Sequence, residues 1–214
     1  MKLFYGSEKI ILEPQPFFGN PTNDYGQGFY CTEDKAAAKL WAGKKTGIGY
    51  INFYDFDPSS LRKLDLTLGD EKTVLQWLSL LLAHRFAYED RARYRPTIDL
   101  LEKLFPLSLD EFDYVVGYRA DDNYFAYSRD FLANTLPYEL LVEAMRLRKL
   151  GLQCVLLSKS SFSRLHYLGV EPVSDSALYS QFKQEATLQY ALLKTQANPS
   201  MRYLNEILKE YSHD

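Results

Sequence analysis

Cysteine is scarce, with two residues in a chain of 214. Cys31 and Cys154 form neither a metal-ligand spacing nor a redox motif, so both read as buried, reduced thiols of a cytoplasmic protein. Histidine is nearly as rare. His84, His166 and His213 show no ligand spacing, and no metal is expected. His84 closes a helical pattern, where its charge suits the helix dipole. A basic excess is also missing. Lys and Arg number 25 against 28 Asp and Glu, for a net charge of −3. That removes any global reason for tight, non-specific binding to nucleic acid or an anionic membrane. The longest apolar run, around VLQWLSLLLAH, falls well short of the roughly 20 residues that cross a bilayer. No charged-then-apolar segment with a cleavage site opens the chain, so no secretory signal is expected. Internal repeats and low-complexity tracts are absent too.

Aromatic surface is what the chain does have, with 17 Tyr and 13 Phe. Tyrosine joins a flat apolar face to a polar tip, which suits a core, a pocket or an interface equally. The pattern along the chain is mixed. Residues 3–5 and 9–12 read as short strands, and PQPFFGNPTNDYG as a loop. GFYCT reads as a strand. Thr32-Glu33-Asp34 then caps a helix over EDKAAAKLWAGKK. IGYINFYDFD is a strand by its aromatic and β-branched content. DEKTVLQWLSLLLAHRF places Val74, Trp77, Leu78, Leu81 and Leu82 at helical spacing. RPTIDLLEKLF is a weaker helix and FDYVVGY a strand. NYFAYSRDFL and LPYELLVEAMRLRKLG are helices, the second stopped by Gly151. LQCVLLS is a strand and SSFSRLHYL a helix or turn. One or two helices fill residues 174–212, split near Asn198-Pro199. Short strands without regular βαβ units predict a mixed α+β fold and argue against a Rossmann or TIM order.

Two glycine-and-aromatic elements lie close together near the N-terminus: Tyr5-Gly6-Ser7, and Gly26-Gln27-Gly28-Phe29-Tyr30 before the first helix. Each alone is a weak signal, since any strand-turn can contain it. In order, followed by Trp41 and by Gln153 in LQCVLLS, they resemble the ADP-ribosyltransferase superfamily, in the branch of diphtheria toxin and the poly(ADP-ribose) polymerases. The chain is also similar to a bacterial family of unknown function assigned to that fold, through GSxxI, YGxGFYxT, WLxLLL and a GxRADD-like segment. The resemblance spans roughly residues 3–170. It implies an α+β fold of split, small mixed or antiparallel sheets with surrounding helices, as one ADP-ribosyltransferase-like domain over residues 1–170 with 171–214 as a C-terminal helical extension. It implies NAD as co-substrate and mono-ADP-ribosyl transfer to a macromolecule or small acceptor.

Residue by residue, the resemblance gives Tyr5, Gly6 and Ser7 the dinucleotide. It gives the nicotinamide to Tyr30, in the Gly28-Phe29-Tyr30 strand, and to Trp41. It sets Gln153 where the superfamily has its catalytic glutamate, so Gln153, Tyr5 and Tyr30 are the candidate catalytic residues. Nicotinamide is a flat ring that leaves through an oxocarbenium-like state, and a carboxylate near the ribose would normally stabilise that charge. Two departures stand out. Tyr5 replaces a histidine. Gln153 can hold a hydroxyl but cannot act as a base. This argues against polymer synthesis, and leaves single-acceptor transfer or NAD binding without turnover. Restoring the carboxylate with Gln153→Glu is expected to raise NAD hydrolysis.

In YRADDNYF, Arg119 and Asp122 are either the rim of that pocket or, more plainly, a charge pair and a helix cap. Trp41 could equally be core, and Gln153 a solvent-facing strand residue. Charge favours protein over nucleic acid as acceptor, although RARYR at residues 91–95 offers a small basic patch whose bland reading is a solvated helix start. By analogy alone, an effector of this type would be a toxin or defence protein held by a neighbouring antitoxin. The alternatives are a catalytically silent NAD- or ADP-ribose-binding module, or a partner-binding protein in which the aromatics only pack.

Overall fold

The computed structural model describes residues 1–42, 48–67, 69–85, 88–120, 122–146, 151–175 and 177–213. Within these ranges the side chains of residues 88–91, 122–125 and 146 lie outside the description. So do residues 43–45 at the end of the first expected helix, Asp121, and residues 147–150 of the LPYELL helix.

Strand β1 (Lys2–Ser7) opens the chain and β2 (Phe29–Cys31) follows the long loop. Helix α1 (Lys35–Ala42) starts where Asp34 accepts a hydrogen bond from the Ala36 N–H at 2.8 Å, as its sequence leads one to expect. β3 (Ile48–Phe56) and the short β4 (Lys63–Asp65) lead into α2 (Glu71–Arg85). α3 (Tyr88–Leu104) is longer than the expected segment and carries Pro96 in its interior. β5 (Tyr114–Tyr118), α4 (Asp122–Leu132), α5 (Tyr138–Arg146), β6 (Leu152–Leu156) and α6 (Lys159–Ser163) come next. β7 (Leu165–Ser174), α7 (Leu178–Lys194) and α8 (Leu204–His213) complete the described elements.

The strands form two sheets, so the class is α+β. One is antiparallel in the order β1-β3-β7; the other runs β2-β6-β5-β4, with only the β4–β5 pair parallel. Among the described residues, one isolated bridge links β1 to the residue after β2. Phe4 N–H donates to the Thr32 carbonyl at 2.8 Å and Thr32 N–H to the Phe4 carbonyl at 3.0 Å. Past this bridge β1 pairs with β3 alone, Tyr5 opposite Asn52 and Gly6 opposite Ile51. The sheets therefore part just where the Tyr5-Gly6 element begins.

The expected stripe on α2 is buried at Val74, Trp77, Leu78, Leu81 and Leu82. Each such side chain taken from water contributes about 1.5–3 kcal/mol. α7 and α8 add Phe182, Tyr190, Leu193, Leu204 and Ile207 to the same core. Residues 9–12 are not a strand. Asn52, fully buried on β3, holds them as a loop: its Oδ1 accepts from Ile11 N–H at 2.8 Å and its Nδ2 donates to the Lys9 carbonyl at 3.1 Å. The SSFSRLHYL segment also divides differently: α6 covers its start, and its end belongs to β7, which pairs along β3. Cys31 and Cys154 face each other across β2 and β6 as free thiols, and burial pushes Cys154 up to about 12. No described helix is long and apolar enough to cross a membrane.

Candidate functional site

The gap between the sheets is a cleft of about 520 Å³. β1 supplies Tyr5 and Gly6, the loop before β2 supplies Gly28, and β2 supplies Tyr30. Trp41 comes from α1, Arg119 from the residue after β5 and Gln153 from β6. The strand register explains part of this convergence. Tyr30 pairs with Val155, so Gln153, two residues along β6, lies on the same face of the sheet. Ser7 does not line the cleft; its hydroxyl accepts from Lys9 N–H at 3.1 Å and shapes the turn after β1. The Asp122 side chain lies outside the described residues.

Tyr30 is anchored at its polar tip. Its hydroxyl donates to the Gly26 carbonyl at 2.6 Å and accepts from Tyr25 N–H at 3.0 Å. Burial pushes its phenol upward, so it stays a neutral donor at physiological pH. Gly26 makes this turn possible with a φ of +68°, a conformation that favours glycine. Tyr5 packs on Phe29 with ring centres 4.4 Å apart, and burial raises its phenol as well. Gly6 has a structural reason of its own. A Cβ there would stand 2.0 Å from the Ala38 carbonyl oxygen and 2.7 Å from Ala42 N. Glycine is needed for α1 to pack on β1 whether or not a ligand approaches.

Trp41 and Arg119 meet directly, with the guanidinium carbon 4.1 Å from the Trp41 ring centre. The Trp41 indole N–H is buried without a hydrogen-bond partner. At the rim, Phe18 is 89 % exposed. Phe17 beside it has a φ of 61°, which is uncommon for a bulky residue.

A carboxylate also sits in the cleft, from a residue the sequence reading passed over. Asp24, 6 % exposed, accepts at Oδ1 from Arg85 Nη1 at 2.8 Å. Its Oδ2 accepts from Ala120 N–H at 2.8 Å and from Gln153 Nε2 at 3.2 Å. Arg85 donates also to the Ala120 carbonyl. Burial raises the Asp24 carboxyl, while Arg85, the Ala120 N–H, Arg119 and Gln153 pull it back down. Gln153 is 3 % exposed, and its Oε1 has no hydrogen-bond partner. Among the described lining residues the charged groups are the Arg85 and Arg119 guanidinium groups and the Asp24 carboxylate.

A family model described as "Protein of unknown function (DUF3990)" matches residues 1–167. The chain belongs to the DUF3990 family. No curated protein and no solved structure matches it. The DUF3990 match contains the whole cleft lining, from Tyr5 to Gln153, whereas α7 and α8 lie beyond it.

Asp24 and Arg85 had local explanations that hid them. Asp24 stands in a Pro- and Gly-rich loop, where aspartate is an ordinary turn former. Arg85 stands in the last turn of a helix, where a cation is expected. Their pairing spans 61 residues and carries no local signal.

Proposed function

We propose that the cleft binds NAD and that this DUF3990 protein transfers ADP-ribose from it to a macromolecular acceptor, protein in preference to nucleic acid. The observation that carries this reading is the convergence of Tyr5, Gly6, Gly28, Tyr30, Trp41, Arg119 and Gln153 on one cleft from separate elements. Core packing alone does not require residues chosen for an NAD motif to share a cavity wall.

The lining fits the ligand's chemistry. The Arg85 and Arg119 guanidinium groups in the lining suit a pyrophosphate. The Tyr30 ring, held by its hydroxyl, offers a flat face worth about 0.5–1.5 kcal/mol beyond buried area. The partnerless Gln153 Oε1 is an acceptor for a ribose hydroxyl. In the transfer, the bond from the ribose anomeric carbon to nicotinamide breaks and its electron pair leaves with nicotinamide. A lone pair of the acceptor forms the new bond to that carbon, and the acceptor's proton passes to solvent.

A second reading is NAD binding without turnover. Gln153 is neutral, and Asp24, the one carboxylate among the described cleft residues, has both oxygens engaged by donors. Thermal melting with NAD tests the binding common to both. A ligand bound only by the folded state at about 100 times its Kd adds about 2.7 kcal/mol. A clear rise in Tm is expected, and no rise overturns both readings. Nicotinamide release then separates the enzyme from the silent binder.

A further inference from the structure

We propose that Asp24 is a positioning residue that fixes the Gln153 side-chain amide with its nitrogen inward, so that Gln153 meets a ligand hydroxyl only as an acceptor. This rests on the NAD reading for the identity of that hydroxyl, a ribose hydroxyl, but the orientation itself does not.

A glutamine amide has two ends of similar size and opposite hydrogen-bonding sense, and it can present either. An ionised carboxylate accepts only. With Asp24 Oδ2 3.2 Å away, Gln153 must turn Nε2 toward it. Asp24 is itself held by Arg85 and by the Ala120 N–H, so it cannot swing aside to accommodate the reverse orientation. Oε1 is then the polar atom left over, and it is buried without a partner. A buried acceptor left unsatisfied is unfavourable, and a ligand donor would relieve it. A glutamate would present an oxygen at this place whichever way it turned. Gln153 does so because Asp24 stands behind it, and the negative charge lies one side chain further from the ligand.

The arrangement also changes what Gln153→Glu would do. The new carboxylate would face that of Asp24 at hydrogen-bond distance, and two such groups share a proton rather than both ionise. The single substitution is therefore expected to be poorly active. The double variant Asp24→Asn/Gln153→Glu moves the charge to position 153 and lets the new amide at position 24 donate to it, at the loss of the Ala120 hydrogen bond.

The test has two arms on the full chain. In ¹⁵N NMR spectra, the Gln153 Nε2 proton pair is assigned by its disappearance in Gln153→Glu. It should be slow to exchange in the parent protein, follow a carboxyl titration, and lose that titration in Asp24→Asn. Indifference to Asp24→Asn overturns the proposal, and no ligand is needed to see it. In the second arm, nicotinamide release from NAD should fall about ten- to a hundredfold in Asp24→Asn, as when a group orienting a contact residue is removed. NAD affinity should fall by less than release does, because the aromatic contacts and Arg119 remain while the ribose contact and the Asp24 anchor of Arg85 are lost. The double variant should regain at least tenfold of that loss. Release unchanged in Asp24→Asn, or no recovery in the double variant, overturns the proposal. If the parent neither binds NAD nor releases nicotinamide, the reading of the cleft has failed, while the NMR arm still decides the orientation. Should Asp24→Asn not fold, the parent titration still decides the orientation, and the double variant should release nicotinamide at least tenfold faster than Gln153→Glu alone, equal release overturning the proposal.

Discussion

The Arg119 guanidinium stacks on the Trp41 ring, its central carbon 4.1 Å from the ring centre. A cation over an indole is worth about 0.5–2 kcal/mol, depending on its exposure to solvent. The indole face that Arg119 covers is not available to nicotinamide at the same time. On the NAD reading, Trp41 acts through Arg119, by holding a positive charge at the cleft.

It follows that Arg119→Ala and Trp41→Ala should weaken binding in the same direction. Both should weaken NAD, which carries a pyrophosphate, more than free nicotinamide, which does not. Calorimetric titration of each variant with both ligands checks this. Equal losses for NAD and nicotinamide would place Trp41 directly against the ring.

Tyr30 combines two roles that two substitutions can separate. Tyr30→Phe keeps the ring but removes the hydroxyl's bonds to Gly26 and Tyr25. Its melting should show a loss of about 1–3 kcal/mol, with NAD affinity reduced modestly. Tyr30→Ala removes the stacking face as well and should weaken NAD much further. A Tyr30→Ala protein that binds NAD as tightly as its parent would remove the stacking assignment.

Gly6→Ala should damage the fold before it affects any ligand. The added methyl meets the α1 backbone at Ala38 and Ala42, which cannot yield as a side-chain tip can. Overpacking of this kind costs about 1–3 kcal/mol, or more where backbone must move. Urea unfolding should show the loss without NAD, and a midpoint unchanged from the parent would mean that α1 shifts freely on β1.

The repeating patterns of the chain were legible. The α2 stripe and the aromatic, β-branched β3 each follow from side-chain period, and both formed as expected. β7 was not legible because it holds Gly169 at a register shift and Pro172 within the strand. β7 is an edge strand, where a proline costs little, so composition misleads there. Loop 9–12 looked like a strand by its Ile-Ile-Leu run, and the side chain of Asn52, some forty residues away, decides otherwise. In the cleft, Tyr5, Tyr30, Trp41, Arg119 and Gln153 could be named because each stands in a motif or beside one. Asp24 and Arg85 could not, because their meaning is their mutual contact.

Asp24 makes a pH prediction with a definite sign. Burial is the largest influence on it and raises its carboxyl above the ordinary 3.8, against the opposing pull of Arg85 and the other donors. A carboxyl raised in the fold holds its proton more tightly folded than unfolded. Its contribution to stability is complete below the ordinary value and is lost as pH climbs through the folded value. The amide of Asp24→Asn cannot titrate. The parent Tm minus the Asp24→Asn Tm should therefore fall as pH rises from the ordinary carboxyl value through the higher folded one. A difference that grows over that range would mean that Arg85 outweighs burial.

The most direct measurement of the central claim uses NAD labelled in its adenylate half, incubated with the purified protein and a cell lysate. Label should enter protein, with an equal amount of nicotinamide released, and both should fall together in Tyr30→Ala. Release of nicotinamide without labelled acceptor would mark a hydrolase instead. Neither label transfer nor nicotinamide release from the parent protein would contradict transfer chemistry in this cleft.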